Sequence, residues 1–290
     1  MQIKDIIKKV KQIEIRTKRK TESALMGQYH SAMKGQGMTF SEVRAYQFGD
    51  EIRRIDWNKT ARFQEPFVKV MEEERELTVM LLVDISASMD FGTQYALKRE
   101  FVAEICGSIG FSAANNNDKV GLILYGKEIY KVIPPKKGRQ HILSLLSQIL
   151  SANYQPGKSN LDATLQYMMN VFKKKSFVFV FSDFQDEFSE KTLRVTTQKH
   201  ALLAVRILDD KEIQIPSIGY ALFHDIETGQ QFWVNTNNSR WRYNYIEKQK
   251  QQQKNVQEVF ENSSAGFINI KSGEDYAHSL IKYFQQKKIK

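Results

Sequence analysis

A chain of 290 residues, 41% hydrophobic and 26% charged, has the make-up of a globular protein and the length for one large domain or two small ones. No apolar run approaches the roughly 20 residues that span a bilayer, lysines interrupt the isoleucines of MQIKDIIKKVKQ as they never do a signal-peptide core, and the lone Cys106 excludes an internal disulfide or a cysteine zinc cluster. The net charge of +10 sits at the two ends, with nine Lys/Arg against three Asp/Glu in residues 1–34 and ten against five in residues 240–290.

The first segment is an amphipathic helix, with Ile3, Ile6, Ile7, Val10 and Ile13 at helical spacing. The glycine-rich GQYHSAMKGQGMTF that follows is turn-like. SEVRAYQFGDEIRRIDWNKTARFQEPFVKVMEEERE shows no clean period and reads as short strands and loops laid on a larger domain. From Leu77 the pattern turns to alternating strands and helices. Val79 to Val83 form a buried strand; residues 94–114 are a helix carrying Leu97, Phe101, Val102, Ile105, Cys106 and Ile109, so Cys106 is a small core residue. VGLILYG and EIYKVIP pair across Gly126, and residues 139–150 and 161–172 are helices. SFVFVFSDF is a second wholly apolar strand, residues 189–199 a helix, and HALLAVRILDD a third buried strand. GYALFHDIETGQQFWVN is a hairpin turning at Thr228-Gly229, inserted near 211–236. A long polar helix touching the body through Trp241, Tyr245, Val256 and Phe260 precedes a last strand, GFINIKS, and a helix of Ala277, Leu280, Ile281 and Phe284.

Buried strands alternating with helices make an α/β fold, a Rossmann-like doubly wound and mostly parallel sheet covered on both faces. The division expected is an N-terminal region, 1–76, packed on a main domain, 77–290. Ligands of such a sheet bind beyond the carboxyl ends of its strands. There the first strand exits into Asp84-x-Ser86-x-Ser88, the loop before the helix at 161 presents Ser159, and the second apolar strand exits into Asp183. Two carboxylates and three hydroxyls are an all-oxygen set suited to Mg²⁺, or to Mn²⁺ or Ca²⁺. So few charges leave the ion electron-poor and able to accept a carboxylate from outside.

That constellation resembles the metal-ion-dependent adhesion site (MIDAS) of von Willebrand factor A domains, whose ion-holding residues correspond to Asp84, Ser86, Ser88, Ser159 and Asp183. At larger scale GQGMTFSEVRAYQFGDEIRRIDWNKTAR and RILDDKEIQIPSIGYALFHDIETGQQFWVNT resemble the bacterial domain-of-unknown-function family fifty-eight, from about residue 24 to the end. The single cysteine and the lack of a signal-peptide core make the cytoplasm the natural compartment, and the resemblance implies a protein-binding module that works with a MoxR-type AAA+ ATPase in assembly or maturation of other proteins. It also implies a partner that offers an acidic side chain to the metal. The family's usual Gly-Gly-Thr-Asp loop is here Gly157-Lys158-Ser159-Asn160. The rotamer-restricting methyl is gone, a charge is lost and a cation is added, so the expected affinity is low.

Two other classes stay open. A metal-dependent hydrolase or phosphotransferase needs a general base that the sequence does not display, and GxSxG, Walker and HExxH motifs are absent. A binder of nucleic acid or anionic membrane would use the basic ends, but no aromatic-basic motif accompanies them and solvated helix faces explain them better. His30, His141, His200, His224 and His278 are scattered and read as surface or core residues. The block Arg44, Asp50, Arg53, Arg54, Asp56, Trp57 and Arg62 is either a docking surface or a buried ion-pair network fastening the N-terminal region. Its alternating charges fit the network better.

Overall fold

The computed structural model of the protein describes residues 3–21, 38–73, 76–92, 97–153, 157–213, 215–224 and 231–288. The glycine-rich stretch up to residue 37 and the Thr228-Gly229 turn lie outside the described residues. The chain begins with α1 (Ile3–Thr21), β1 (Met38–Ala45), a 3₁₀ turn (Ile52–Arg54), α2 (Trp57–Phe63) and β2 (Phe67–Glu73). Then come β3 (Thr78–Asp84), a second 3₁₀ turn (Ala87–Asp90), α3 (Lys98–Asn115), β4 (Lys119–Tyr125), β5 (Ile129–Lys136) and α4 (Arg139–Ser151). α5 (Leu161–Val171), β6 (Phe177–Ser182), α6 (Glu190–Lys199), β7 (Ala201–Leu208) and the single turn α7 (Asp210–Ile213) follow. β8 (Tyr220–His224), β9 (Gln231–Asn235), α8 (Ser239–Asn262), β10 (Gly266–Lys271) and α9 (Tyr276–Lys288) close the chain.

The doubly wound sheet expected from the sequence is present, with strand order β10-β7-β6-β3-β4-β5 and only β5 antiparallel. Its central strands are apolar on both sides because both sides are covered. Val79, Leu81, Val83, Phe177, Phe179 and Phe181 face one layer with α1, α3, α4 and α9. Met80, Leu82, Val178 and Val180 face the other, with Leu165 of α5, Leu193 of α6 and Val256 and Phe260 of α8. α1 belongs to the first layer, burying Ile6, Val10 and Ile13. It approaches α3 at Gly107, where an added Cβ would meet Ile13 Cγ2 at 2.7 Å. Each fully buried Leu, Ile or Phe adds about 1.5–3 kcal/mol, so the two layers hold the sheet rigid while its ends stay free for chemistry.

β1, α2 and β2 form a small separate structure. β1 and β2 pair antiparallel, and Asp56 caps α2 by accepting from the amides of Asn58 and Lys59. The expectation of a buried ion-pair network here is overturned. Arg44 does grip Asp50 through two 2.8 Å bonds, but among the described residues Arg54 pairs only with its neighbour Glu51 and Asp56 only with Lys69 at 3.8 Å. Trp57 is 66% exposed, and Phe48, Ile52 and Phe63 are exposed as well. One hairpin and two helical turns have too little volume to bury so many long side chains; of their described hydrophobic side chains only Val68 reaches the buried class.

Candidate functional site at the sheet's switch point

The chain leaves β3 for β4 on one side and later returns with β6 on the other. Connections thus diverge between β3 and β6, and a crevice opens at their carboxyl ends. Register decides what lines it. Val83 pairs with Phe181 and Asp84 with Tyr125, so Asp84 comes to lie between Tyr125 and Ser182. Ser182 donates its hydroxyl to Asp84 Oδ2 at 2.7 Å, and the Ser86 amide donates to Oδ1 at 2.8 Å. Ser86 Oγ stands 3.0 Å from Ser88 Oγ in the following 3₁₀ turn, which the buried Met89 pins to the core.

Asp183 is fixed by its neighbours. Phe184 adopts a left-handed backbone, φ 51°, with its amide on Ser182 Oγ at 3.0 Å and its ring edge-on to Phe188 and Phe260. A bulky side chain at positive φ is strained, and strain of this kind is tolerated where packing holds it. Asp183 Oδ2 accepts from Lys98 Nζ at 3.0 Å, and its backbone carbonyl accepts from Arg206 Nε at 2.9 Å. Ser159 arrives on the loop before α5, which turns at Gly157 with φ 94°. Its amide donates to Asp186 Oδ2 at 2.5 Å, and the next residue, Asn160, caps α5 by accepting from the Ala163 amide. Ser159, Ser182, Asp186 and Tyr125 line one small cavity of about 10 Å³, room for about one water.

All five sequence-nominated residues therefore sit around this crevice, where Ser182 holds Asp84, Asp186 holds the Ser159 amide and Lys98 holds Asp183. Those three, and Glu212, were not singled out by the sequence. Lys98 had a signal: it stands in line with Val102, Ile105 and Ile109 on the inner stripe of α3, where a lysine is out of place. Ser182, Asp186 and Glu212 act through partners distant in sequence and left none.

The electrostatics follow from burial. Asp84 is 1% exposed, and burial, reinforced by Asp183, pushes its carboxyl up to about 6. Burial also raises the Tyr125 hydroxyl, which lies near Ser182 without a hydrogen bond of good geometry. Burial alone would lower the Lys98 ammonium, but Asp183 and Glu212 outweigh it and the net shift is upward. A buried Asp84 whose charge is made costly by burial and by Asp183, beside paired hydroxyls and an orphan phenol, fits a hard cation with oxygen ligands. Among the described residues no three His, Cys, Asp or Glu side chains gather as a metal-binding group, so an ion here would depend on the serines. His141 bonds the Val120 carbonyl and His200 the Ser176 amide, both away from the crevice.

Comparison with known proteins bears on this geometry. Residues 42–255 match the family described as "Protein of unknown function DUF58". Uncharacterized protein Rv1480 of Mycobacterium tuberculosis is 30% identical over 220 residues, 75% of this chain and 69% of its own. Uncharacterized protein YeaD of Bacillus subtilis is 30% identical over 45% of this chain and 29% of its own. Among solved structures, BatB from Bacteroides thetaiotaomicron superposes with TM-score 0.50 at 12% identity, over 74% of this chain and all of that one. An aerotolerance-related membrane protein from Bacteroides fragilis gives TM-score 0.50 at 15% identity, over 73% and 98%. These likenesses agree with the von Willebrand factor A-like fold. No helix among the described residues is long and apolar enough to cross a membrane.

Proposed function

This chain belongs to the DUF58 family, and on that premise we propose that it is a protein-binding module whose grip on its partner runs through a divalent cation at the switch-point crevice. The observation that carries the reading is the buried Asp84 carboxylate, whose charge is made costly by burial and by Asp183 at the exit of the adjacent parallel strand. Among the described residues Asp84 is held by neutral donors alone, so its charge is left for an external cation to balance. Asp84, Ser86, Ser88, Ser159 and Asp183 would hold Mg²⁺, or Mn²⁺ or Ca²⁺. When bound, the ion supplies a Lewis-acidic position that a partner's Asp or Glu carboxylate can fill.

The chain's own residues do the rest. Ser182 and the Ser86 amide orient Asp84, Asp186 holds the Ser159 loop, and the strained turn at Phe184 aims Asp183. The small cavity beside Tyr125, lined by Ser159, Ser182 and Asp186, admits about one water, which could complete the shell of a bound ion. The work is recognition, not catalysis, and the resemblance to MoxR-associated proteins points to a MoxR-type AAA+ ATPase as one partner and to assembly or maturation as the setting. Calorimetric titration of Mg²⁺ tests the site: wild type should give saturable heat and Asp84→Ala none, with unchanged circular dichroism. Equal curves for the two would remove the ion from the mechanism.

A further inference from the structure

Lys98 is the first residue of α3 and is fully buried. Neither position suits it. The start of a helix carries partial positive charge, which repels an ammonium, and a lysine is almost never buried without a partner. No capping role explains its place, since its own amide is satisfied by the Phe91 carbonyl at 2.8 Å. Two acids account for it. Nζ donates to Asp183 Oδ2 at 3.0 Å and to Glu212 Oε1 at 2.7 Å. Glu212 is itself fixed, because its other oxygen accepts from the Asp209 amide at 3.3 Å and its carbonyl from the Tyr245 hydroxyl at 3.0 Å.

The consequence lies in how Asp183 is divided. One carboxylate oxygen is committed to Lys98, while Oδ1 carries no hydrogen bond among the described residues. Among the described residues no such cation sits on Asp84; its two oxygens take an amide and a hydroxyl. The two acids of the crevice are thus unequal, one partly neutralised from within and one not. Resting on the metal reading above, we infer that Lys98 is a built-in counter-cation that shares Asp183 with the divalent ion and holds the ion's affinity down. With Lys98 on Oδ2, an ion on Oδ1 meets a weakened carboxylate and the repulsion of a nearby positive charge. It binds loosely and stays electron-poor, so a partner's carboxylate adds more to the complex. Ion and partner then bind best together, and the resting protein keeps its fold with Lys98 as the cation.

The test separates charge from contact. Lys98→Met with Glu212→Gln removes one positive and one negative charge, so the net charge of the site is unchanged and no unpaired buried ion remains from the pair. Freed from Lys98, Asp183 should bind more strongly. Mg²⁺ titration by calorimetry should show the double variant binding at least about tenfold tighter than wild type, the loss of the nearby Lys98 charge outweighing the loss of the more distant Glu212 charge. Glu212→Gln alone leaves Lys98 wholly on Asp183 and should weaken binding. Lys98→Arg should keep the wild-type affinity. Circular dichroism and thermal melts establish that each variant is folded, a condition that a merely structural role for Lys98 would meet without moving the affinity. A folded double variant that binds as wild type does, or more weakly, overturns the role of Lys98 and leaves the metal reading standing. Titrations flat for wild type and every variant overturn both.

Discussion

Asp84→Asn is the most informative single change, because the ion-free protein and the ion-bound protein should respond in opposite directions. Burial and Asp183 raise the Asp84 carboxyl from 3.8 to about 6. At 1.36 kcal/mol per unit, holding the charged form at pH 7.5 costs the metal-free fold about 3 kcal/mol. Asparagine keeps the shape and the bond from the Ser86 amide but sets an amide group against the Ser182 hydroxyl, so about 1–2 kcal/mol of that cost should be recovered. For a chain of this size that is a rise of about 2–3 °C in Tm in EDTA. The sign follows from linkage: the folded form keeps its proton to higher pH than the unfolded one, so wild-type stability falls as pH rises from about 4 through 6, and the variant's advantage shrinks toward pH 4. In Mg²⁺ at about a hundred times its Kd, wild type gains about 2.7 kcal/mol and the variant gains nothing. The order of the two melting curves should therefore reverse between EDTA and Mg²⁺. The reasoning fails if the variant melts at or below wild type in EDTA, or if Mg²⁺ raises both equally.

Other expectations follow from single contacts. His200 is buried with Nδ1 accepting from the Ser176 amide, and burial lowers it to about 4. Since its unfolded value is near 6.5, up to about 3 kcal/mol of stability should be present above pH 6.5 and lost as pH falls toward 4; His200→Gln should flatten that limb of a pH-dependent urea titration. Arg54→Ala should change stability by less than about 1 kcal/mol, because its pair with Glu51 is a surface one; a loss of 3 kcal/mol in a chemical melt would restore the buried-network reading. Gly107→Ala should cost about 1–3 kcal/mol, since its methyl meets the β-branched Ile13 at 2.7 Å, and faster hydrogen exchange in α1 would report it. Asp186→Asn should weaken the hold on the Ser159 amide and reduce Mg²⁺ affinity with little change in Tm.

The parts of the fold that the sequence revealed are those in which one segment carries its own signal. Val79 to Val83 and Phe177 to Phe181 are unbroken apolar runs because both sheet faces are covered, and the carboxylates that follow them are visible as departures from those runs. Ser159 could be named only through its resemblance to the adhesion-site loop, because its own loop joins two helices, α4 and α5, and meets the end of β4 through the Asn160 amide on the Gly126 carbonyl at 2.8 Å. Long-range pairing carries no such local mark. Glu212 meets Lys98 from 114 residues away and Ser182 meets Asp84 from 98, and neither spacing has a period. The Arg/Asp/Trp block misled for a different reason. Its composition suits either a buried network or an exposed face, and only the small size of β1, α2 and β2 leaves Trp57 and Phe63 outside.

The central claim is that partner capture runs through a coordinated cation and not through the basic ends. It is tested most directly by immobilising the protein, passing a cell lysate over it, and quantifying retained proteins by mass spectrometry from about 50 to 200 mM salt, in Mg²⁺ and in EDTA. Retention in Mg²⁺ should weaken only moderately over that range, disappear in EDTA and be absent with Asp183→Ala, because a coordinate bond in a partly dry crevice is screened far less than exposed lysines are. Retention that ignores EDTA and collapses with salt, as polyanion binding does, would contradict the account.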